Sequence, residues 1–209
     1  MDNKNSYIDD TDFNKFSQNK SLKVMHLDYP FDEDYDIYGS GLEPEGLKML
    51  DDASDTIIKA KLVQGETRSI YYGCVLSKLV VLDVYKGNLA KNQVINIFEP
   101  VECTQFSDVI VLSEGYSPMI EGEEYLIYLR TLDGALYSDS KFVYIPSTIL
   151  YSKFRIKNED IPLYTEQDLD GSYKSLYYNE IKDADLYAYN EDEYQRYTKL
   201  KKEVIDKYL

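Results

Sequence analysis

The residue types that most often carry catalysis or bind metals are scarce in this chain. Its 209 residues include one histidine, His26, and two cysteines, Cys74 and Cys103. A histidine-dependent active site or a multi-histidine metal centre therefore has almost nothing to be built from, and two cysteines alone cannot complete a zinc site. A Ser-His-Asp triad would need His26, and the chain contains no G-x-S-x-G motif. We interpret His26 as a surface or packing residue.

Two acidic segments match parts of calcium-binding loops without completing one. Five ligand positions of such a loop are matched by Asp32, Asp34, Asp36, Ser40 and Glu43. Ile37 occupies the position where the turn requires glycine, so we interpret this segment as a solvated acidic linker. Residues 168–171, with the motif D-x-D-G, lack the remaining ligands and are interpreted as a turn. The sequence therefore predicts no metal and no cofactor.

Carboxylate pairs can perform acid–base chemistry without histidine, as they do in glycosidases. With 38 Asp and Glu residues in the chain, the sequence singles out no pair. Glu102, Glu123 and Glu124 are interpreted as solvated faces or strand ends. Residues 39–41 contain G-x-G but lack the preceding strand and the basic residue of a phosphate loop, so they are interpreted as linker. No catalytic, cofactor-binding or metal-ligating residue is assigned.

The two cysteines leave two alternatives open. In an exported protein, Cys74 and Cys103 could form a disulfide, which would close a loop of about 30 residues and stabilise the fold by roughly 3 kcal/mol in the chain-entropy model. The other interpretation is a pair of buried thiols, which we favour because nothing in the sequence supplies the disulfide geometry.

The charge distribution limits the partners and suggests a compartment. A formal net charge of −15 argues against nucleic acid, whose binding requires a basic face. No apolar run of about 18 residues is present, so no membrane span is expected. The polar start is expected of a chain whose export signal has been removed, and membrane anchoring through such a segment fits that view. A plain cytoplasmic start is the alternative.

Residues 1–53 are predicted to be an acidic leader and linker. Residues 1–55 contain 14 acidic and 5 basic residues, and few apolar residues accompany them. Segments of this kind are usually solvated, so we expect residues 1 to about 18 to be mobile. A short helix is possible at 44–54, with Leu47 and Leu50 on one face.

Residues 54–146 are predicted to form a small antiparallel β-barrel. In residues 56–63 the apolar side chains Ile58, Ala60 and Leu62 alternate with lysines, as in a half-buried strand. The predicted strands are 56–63, 69–87 with a bend at Gly73, 93–98 ending before Pro100, 107–115, 123–132 and 135–145. Short turns separate them, which favours a small barrel or sandwich.

Residues 147–209 are predicted to be a tyrosine-rich extension that ends in a helix at 190–208. Ten of the 22 tyrosines lie there. Asn190 is a predicted N-cap with Glu193 three residues later. One apolar stripe is formed by Tyr194, Tyr197, Leu200, Val204 and Tyr208. We expect this helix to pack on the barrel through the last four of these residues.

The strand region resembles netrin-like, tissue-inhibitor-type OB-fold domains and their bacterial relatives. The matching positions are Ser54-Asp55, Val84-Tyr85-Lys86-Gly87, Ile95, Ile97, Gly122, Tyr125 and Leu126. The resemblance covers about residues 54–131 and implies an OB-like barrel in an exported or lipid-anchored bacterial protein. Protease inhibition is not implied, because the N-terminal cysteine and the disulfides of the animal inhibitors are missing. The preference for lysine over arginine is typical of AT-rich coding and also suggests a bacterium.

These observations predict a non-enzymatic, extracytoplasmic binding or accessory module. The predicted partner is a protein or a glycan, because tyrosines suit recognition and the acidity disfavours nucleic acid. Two alternatives stay open. One is a carboxylate-only enzyme acting on cell-wall sugars, which would show two acids about 5 to 10 Å apart in a deep cleft. The other is an intracellular immunity or inhibitor-like protein.

Overall fold

The computed structural model describes residues 8–27, 44–71, 74–103, 107–131, 143–157, 163–165, 176–188 and 190–209. Within these residues the chain is mainly β. In chain order the elements are β1 (Ile8–Asp12), α1 (Phe13–Phe16), β2 (Lys23–Leu27), α2 (Leu47–Asp52), β3 (Thr56–Leu62), β4 (Ser69–Tyr71), β5 (Cys74–Lys86), β6 (Val94–Cys103), β7 (Val109–Ser113), β8 (Glu124–Thr131), β9 (Val143–Pro146), β10 (Lys153–Arg155), β11 (Leu163–Thr165), α3 (Tyr178–Ile181), β12 (Leu186–Ala188) and α4 (Glu191–Tyr208).

Five of the strands close into a barrel. Around the barrel the order is β3, β5, β6, β9 and β8, and β8 pairs back to β3. Every pair is antiparallel except β6 with β9, which is parallel. A closed five-stranded barrel of this kind is consistent with an OB-like fold. The prediction of a mainly β chain, with a small barrel and a C-terminal helix, is confirmed.

Alternating side chains explain how β3 serves two apolar clusters. Ile58, Ala60 and Leu62 point into the barrel core, whereas Ile57 points to the outside. The barrel core consists of Ile58, Ala60, Leu62, Leu79, Val81, Ile95, Ile97, Met119, Tyr125, Ile127, Leu129 and Tyr144. Its strands supply these residues at every second position, so the period of two in the sequence is the period of burial.

The predicted long strand at 69–87 is two antiparallel strands instead. Ser69 pairs with Leu76 and Tyr71 pairs with Cys74, so the chain reverses between β4 and β5. Gly73 lies outside the described residues. Both arms of this hairpin are rich in strand-forming residues, and the sequence pattern alone could not distinguish a bend within one strand from a reversal between two strands.

The prediction that Pro100 stops a strand is wrong. Pro100 lies inside β6, which continues to Cys103. The pairing of β5 with β6 jumps from Val75–Glu99 to Cys74–Glu102, which is an irregularity at the position of the proline. Proline is tolerated within a sheet at a bulge of this kind, because no ladder hydrogen bond is required from its nitrogen there.

The expectation that residues 1 to about 18 are mobile does not hold for residues 8–18, which belong to a packed segment that continues to residue 27. β1 pairs with β4, and β2 pairs in parallel with β7, so this segment adds strands at both edges of the sheet. Phe13 and Leu22 are both fully buried. Burial of these two large apolar side chains stabilises the segment, although residues 1–55 as a whole have the acidic composition that is typical of solvated chain. Residues 1–7, for which the same expectation was made, lie outside the described residues.

The C-terminal helix begins and ends as predicted. The Asn190 side chain accepts a hydrogen bond from the Glu193 amide at 3.0 Å, which caps the first turn of α4. Tyr197, Leu200 and Val204 are buried against the outside of the barrel, and Tyr208 is partly exposed there. This outer cluster consists of Leu50, Ile57, Leu126, Tyr128, Leu150, Tyr151, Phe154, Leu186, Ala188, Tyr197, Leu200 and Val204. The predicted helix at 44–54 is α2, which adds Leu50.

No helix among the described residues has the length and apolar character needed to cross a membrane.

Candidate functional site

A cleft of about 590 Å³ opens at one side of the barrel. Three parts of the chain form its walls: α1 with the turn that follows it, the loop at 119–121, and α3 with the residues after it. The lining residues are Phe13, Asn14, Ser17, Gln18, Lys20, Arg68, Met119, Ile120, Glu121, Tyr178, Asn179, Lys182 and Asp183. This volume lies within the range of about 300–1,000 Å³ that is usual for ligand sites.

The floor of the cleft is made of side chains that are almost completely buried. Phe13, Met119 and Tyr178 are between 1% and 5% exposed, and Arg68 is 7% exposed. The Arg68 guanidinium lies 4.4 Å from the centre of the Phe13 ring, and the Phe13 amide donates to the Arg68 carbonyl at 2.9 Å. Arg68 therefore holds α1 through both its side chain and its backbone.

A buried ion pair between Arg68 and Glu99 fixes the second wall. Glu99 is fully buried and accepts hydrogen bonds from Arg68 and from the Ser77 hydroxyl. Its other oxygen accepts from the Met119 amide at 2.8 Å and from the Tyr116 hydroxyl at 3.2 Å. Arg68 also donates to the Met119 carbonyl at 3.1 Å. The ion pair thus holds both backbone groups of Met119, which carries the 119–121 wall.

A second buried cluster, around Asp185, fixes the third wall. One oxygen of Asp185 accepts from the Tyr197 hydroxyl and the Lys201 ammonium, both at 2.7 Å. Arg155 lies 3.9 Å from its other oxygen. The Arg155 guanidinium also donates to the carbonyl of Asp183, which lines the cleft, at 2.7 Å. This cluster therefore links the helix α4 to the end of the α3 wall.

Lys153 lies between these two ionic groups and is completely enclosed by protein. Its ammonium donates to the Ser117 carbonyl and lies 4.7 Å from the centre of the Tyr116 ring and 5.3 Å from that of Tyr125. Burial lowers the pKa of Lys153 from its usual 10.5 to about 8, and the nearby carboxylates Asp185 and Glu99 only partly oppose this effect.

Burial also raises the pKa of the tyrosines around the cleft. It raises the pKa of Tyr116 and Tyr197 well above the usual value, and the neighbouring carboxylates Glu99 and Asp185 act in the same direction. The pKa of Tyr178 is raised by burial as well, despite the opposing effect of Arg68. These hydroxyls consequently remain protonated hydrogen-bond donors at neutral pH.

The rim differs from the floor because its polar groups have few protein partners. Gln18 and Asn179 are exposed, and neither side-chain amide makes a hydrogen bond with another residue that the structure describes. The Asn14 side chain makes one long bond, 3.3 Å from its nitrogen to the Glu66 carbonyl. Glu121 accepts from the Gly65 amide at 2.9 Å, and Lys182 is 2.8 Å from Asp183. The rim can therefore exchange hydrogen bonds with a bound molecule.

None of the described candidate residues from the sequence analysis lines the cleft. Glu102 is half-buried in β6, where burial raises its pKa, and Glu123 and Glu124 lie at the start of β8, within 3.6 Å of Lys157 and 2.6 Å of Lys59 respectively. None of these three acids lines the cleft. His26 lies in β2, and its side chain is not among those that the structure describes. The acidic segments 32–43 and 168–171 also lie outside the described residues.

Cys74 and Cys103 are both buried as free thiols. They lie on neighbouring positions of β5 and β6, because Cys74 pairs with Glu102. Their side chains belong to different apolar clusters, Cys74 with Phe98 and Cys103 with Val101 and Ile110. Neighbouring strand positions that face opposite sides of a sheet do not bring two sulfur atoms together. Burial raises the pKa of the Cys103 thiol, so it is unreactive at neutral pH.

Among the described residues, no group of three or more His, Cys, Asp or Glu side chains is arranged to hold a metal ion. Comparisons with family models, curated proteins and solved structures find no match. The geometry of the cleft is therefore the evidence that bears on its function.

The central residues Arg68, Glu99 and Lys153 were not singled out from the sequence. A signal for Glu99 is present: counting in steps of two from Ile95 and Ile97 places its carboxylate on the inner face of β6. The same count along β5, from Val75 to Leu79, places Ser77 inside. No pattern of this kind identifies Arg68 or Lys153, because neither lies in a long alternating strand.

Proposed function

We propose that this protein is a non-enzymatic binding module that holds part of a protein or glycan partner in the cleft. The observation that carries the proposal is that the polar groups form two separate sets, a buried set whose members pair with each other and a rim set with few described partners. The charge of Arg68 on the floor is paired with Glu99 behind the cleft, whereas the rim presents groups such as Gln18 and Asn179 that have no described hydrogen-bond partner. A site for recognition needs unsatisfied donors and acceptors that face the ligand.

The same separation argues against catalysis in the cleft. A catalytic site needs a nucleophile or a general base that faces the substrate. Lys153, whose pKa lies nearest to neutrality among the described lysines with a resolved shift, is enclosed and does not line the cleft. Glu99 is occupied by four hydrogen bonds from protein groups.

A carboxylate enzyme is the competing proposal, because Glu121 and Asp183 both line the cleft. Each already has a protein partner, the Gly65 amide for Glu121 and the Lys182 ammonium for Asp183. Turnover of peptidoglycan or of a glycoside panel by the purified protein, abolished by Glu121→Gln or Asp183→Asn, would establish this alternative and reject the binding module.

The binding proposal is tested by filling the cleft. Asn179→Trp places a bulky side chain at the α3 wall, and Lys202→Trp on the exposed face of α4 is the matched control. We expect at least one compound from a panel of oligosaccharides and short peptides to shift the NMR resonances of rim residues. Asn179→Trp should weaken that binding about tenfold or more, and Lys202→Trp should leave it unchanged. Binding that survives Asn179→Trp would contradict the proposal.

An extracytoplasmic, bacterial location and the netrin-like relationship accompany this proposal as predictions from the sequence. They rest on the residues between 54 and 131 that carry the resemblance.

A further inference from the structure

The described lining of the cleft carries almost no net charge. Four charged side chains line its rim, two of each sign: Lys20, Lys182, Glu121 and Asp183. The charge of Arg68 on the floor is compensated by Glu99 behind it. In a chain with a formal net charge of −15, this balance is a local property of the cleft. A strongly anionic or cationic ligand would gain little net attraction at such a surface.

The uncharged polar groups of the rim both donate and accept hydrogen bonds. Three are side-chain amides, those of Asn14, Gln18 and Asn179, and Ser17 adds a hydroxyl. An amide presents a donor and an acceptor side by side on one planar group. Adjacent hydroxyls of a sugar present the complementary arrangement, since each hydroxyl also both donates and accepts. The half-buried Ile120 offers an apolar contact to the C–H face of a sugar.

The usual modes of peptide recognition are not met by the described lining. Strand addition needs free backbone groups at a sheet edge. In the cleft, however, the amides of Phe13, Met119 and Ile120 already donate to the Arg68 carbonyl, Glu99 and the Tyr125 hydroxyl. Docking of a proline-rich peptide needs exposed aromatic rings, whereas Phe13 and Tyr178 are 1% and 5% exposed. An amphipathic helix would need a long apolar groove, but the rim is polar.

We propose that the cleft binds a short, uncharged oligosaccharide through the side-chain amides of Gln18 and Asn179. This inference rests on the proposed binding function and narrows its two partner classes to one. The charge balance disfavours a strongly charged ligand, the amides supply matching hydrogen bonds, and the occupied backbone removes the main route to peptide binding.

The test compares three classes of probe on one pair of variants. The probes are neutral tetrasaccharides (β-1,4-linked N-acetylglucosamine, β-1,4-linked glucose and α-1,4-linked glucose), an anionic galacturonate tetramer, and a library of random heptapeptides. The variant Gln18→Ala/Asn179→Ala removes the two exposed rim amides. Asn88→Ala/Gln195→Ala removes one exposed Asn and one exposed Gln outside the cleft and is the matched control. Dissociation constants are measured by titration calorimetry and binding positions by NMR.

We expect a neutral tetrasaccharide to bind, with affinity reduced about tenfold or more in the cleft variant and unchanged in the control variant. Peptide binding at the cleft without any neutral tetrasaccharide binding would overturn the oligosaccharide inference and leave the binding-module proposal standing. Binding of the galacturonate tetramer alone would overturn it in the same way. Binding of no probe, or binding that is equally strong in both variants, would overturn both proposals.

Discussion

Among the residues that the structure describes, two carboxylates and three cations are buried, and the effect of each on stability depends on the groups that it contacts. Arg68 and Glu99 form a direct ion pair, and the Glu99 oxygens accept hydrogen bonds from four groups. A buried pair of this kind gives little more stability than two apolar residues would give in its place. Removal of one member, in contrast, leaves the other charge uncompensated.

We therefore expect Glu99→Gln to lower the free energy of unfolding by about 3–5 kcal/mol, because the Arg68 cation stays buried without its counter-charge. Glu124→Gln breaks the partly exposed pair with Lys59 and should cost less than about 1 kcal/mol. Urea denaturation of both variants measures the difference. Equal effects would show that the Arg68–Glu99 pair behaves as a surface ion pair.

Lys153 makes stability depend on pH in a predictable direction. Since burial lowers its pKa to about 8, the unfolded chain binds a proton that the folded chain has lost between about pH 8 and 10.5. Its contribution to the free energy of unfolding therefore rises with pH in this window, by at most about 3 kcal/mol over the whole window. The Cys103 thiol opposes part of this rise from about pH 8.5, because burial raises its pKa and only the unfolded thiol ionises there. Above about pH 9.5 the buried tyrosines oppose the rise as well, because unfolded tyrosines ionise near pH 10.

The measurement is urea denaturation between pH 7 and about pH 9.5. The natural chain should become more stable towards the upper end, and Lys153→Met should flatten the dependence by removing the titrating group. A slope that persists in Lys153→Met would assign the pH dependence to another residue.

At the scale of elements, α4 links the C-terminal end of the chain to the outside of the barrel. Tyr197 donates to Asp185 and to the Lys153 carbonyl, so the helix also supports the ionic cluster behind the cleft. Near its end, the Asp51 carboxylate of α2 accepts from Lys207 at 2.6 Å and from the Tyr208 hydroxyl at 2.9 Å. The helix α4 is therefore held in place by both apolar and polar contacts.

Leu200→Ala should lower the free energy of unfolding by about 2–5 kcal/mol, because it leaves a cavity in the outer cluster. Lys202→Ala, two positions away on the exposed face, should change it by less than about 0.5 kcal/mol. Thermal and urea unfolding of both variants check this prediction. If the two variants unfold alike, α4 does not stabilise the barrel in solution.

At the scale of the whole molecule, the cleft depends on three distant parts of the chain. Residues 13–20, 119–121 and 178–183 supply its walls, and Arg68 touches the first two. The N-terminal segment is thus a structural part of the site. Phe13, buried against Arg68, adds a side-chain contact to the strand pairings of β1 and β2 that attach this segment to the sheet.

Phe13→Ala should consequently cost about 3–5 kcal/mol, as expected for the loss of a large buried side chain. Lys15→Ala, an exposed neighbour on the same short helix, is the matched control and should be nearly neutral. The free energies of unfolding come from urea titration. A neutral effect of Phe13→Ala would support the expectation that residues up to about 18 are only weakly attached.

The sequence by itself determined β3, β8 and α4, but it did not determine where β5 begins or where β6 ends. Ile58, Ala60 and Leu62 alternate because one face of β3 is buried, and Tyr197, Leu200 and Val204 recur at helical spacing because one face of α4 is buried. Asn190 predicted the start of the helix from local sequence, because its side chain accepts a hydrogen bond from the amide three residues later. These signals are short-range, so they can be detected without the fold.

Tertiary structure alone decided which polar residues are buried and where the cleft lies. Lys153 and Arg155 lie in a three-residue strand, which is too short for a periodic pattern. The Lys153 ammonium is buried against Ser117 and the rings of Tyr116 and Tyr125, and the Arg155 guanidinium contacts Asp183 and Asp185. Phe13 lies in an acidic segment whose average composition is that of solvated chain, and a single buried aromatic outweighs that average. The cleft joins residues more than one hundred positions apart in the chain. Burial and charge pairing between such residues depend on which surfaces meet in the fold, and no local sequence pattern encodes that.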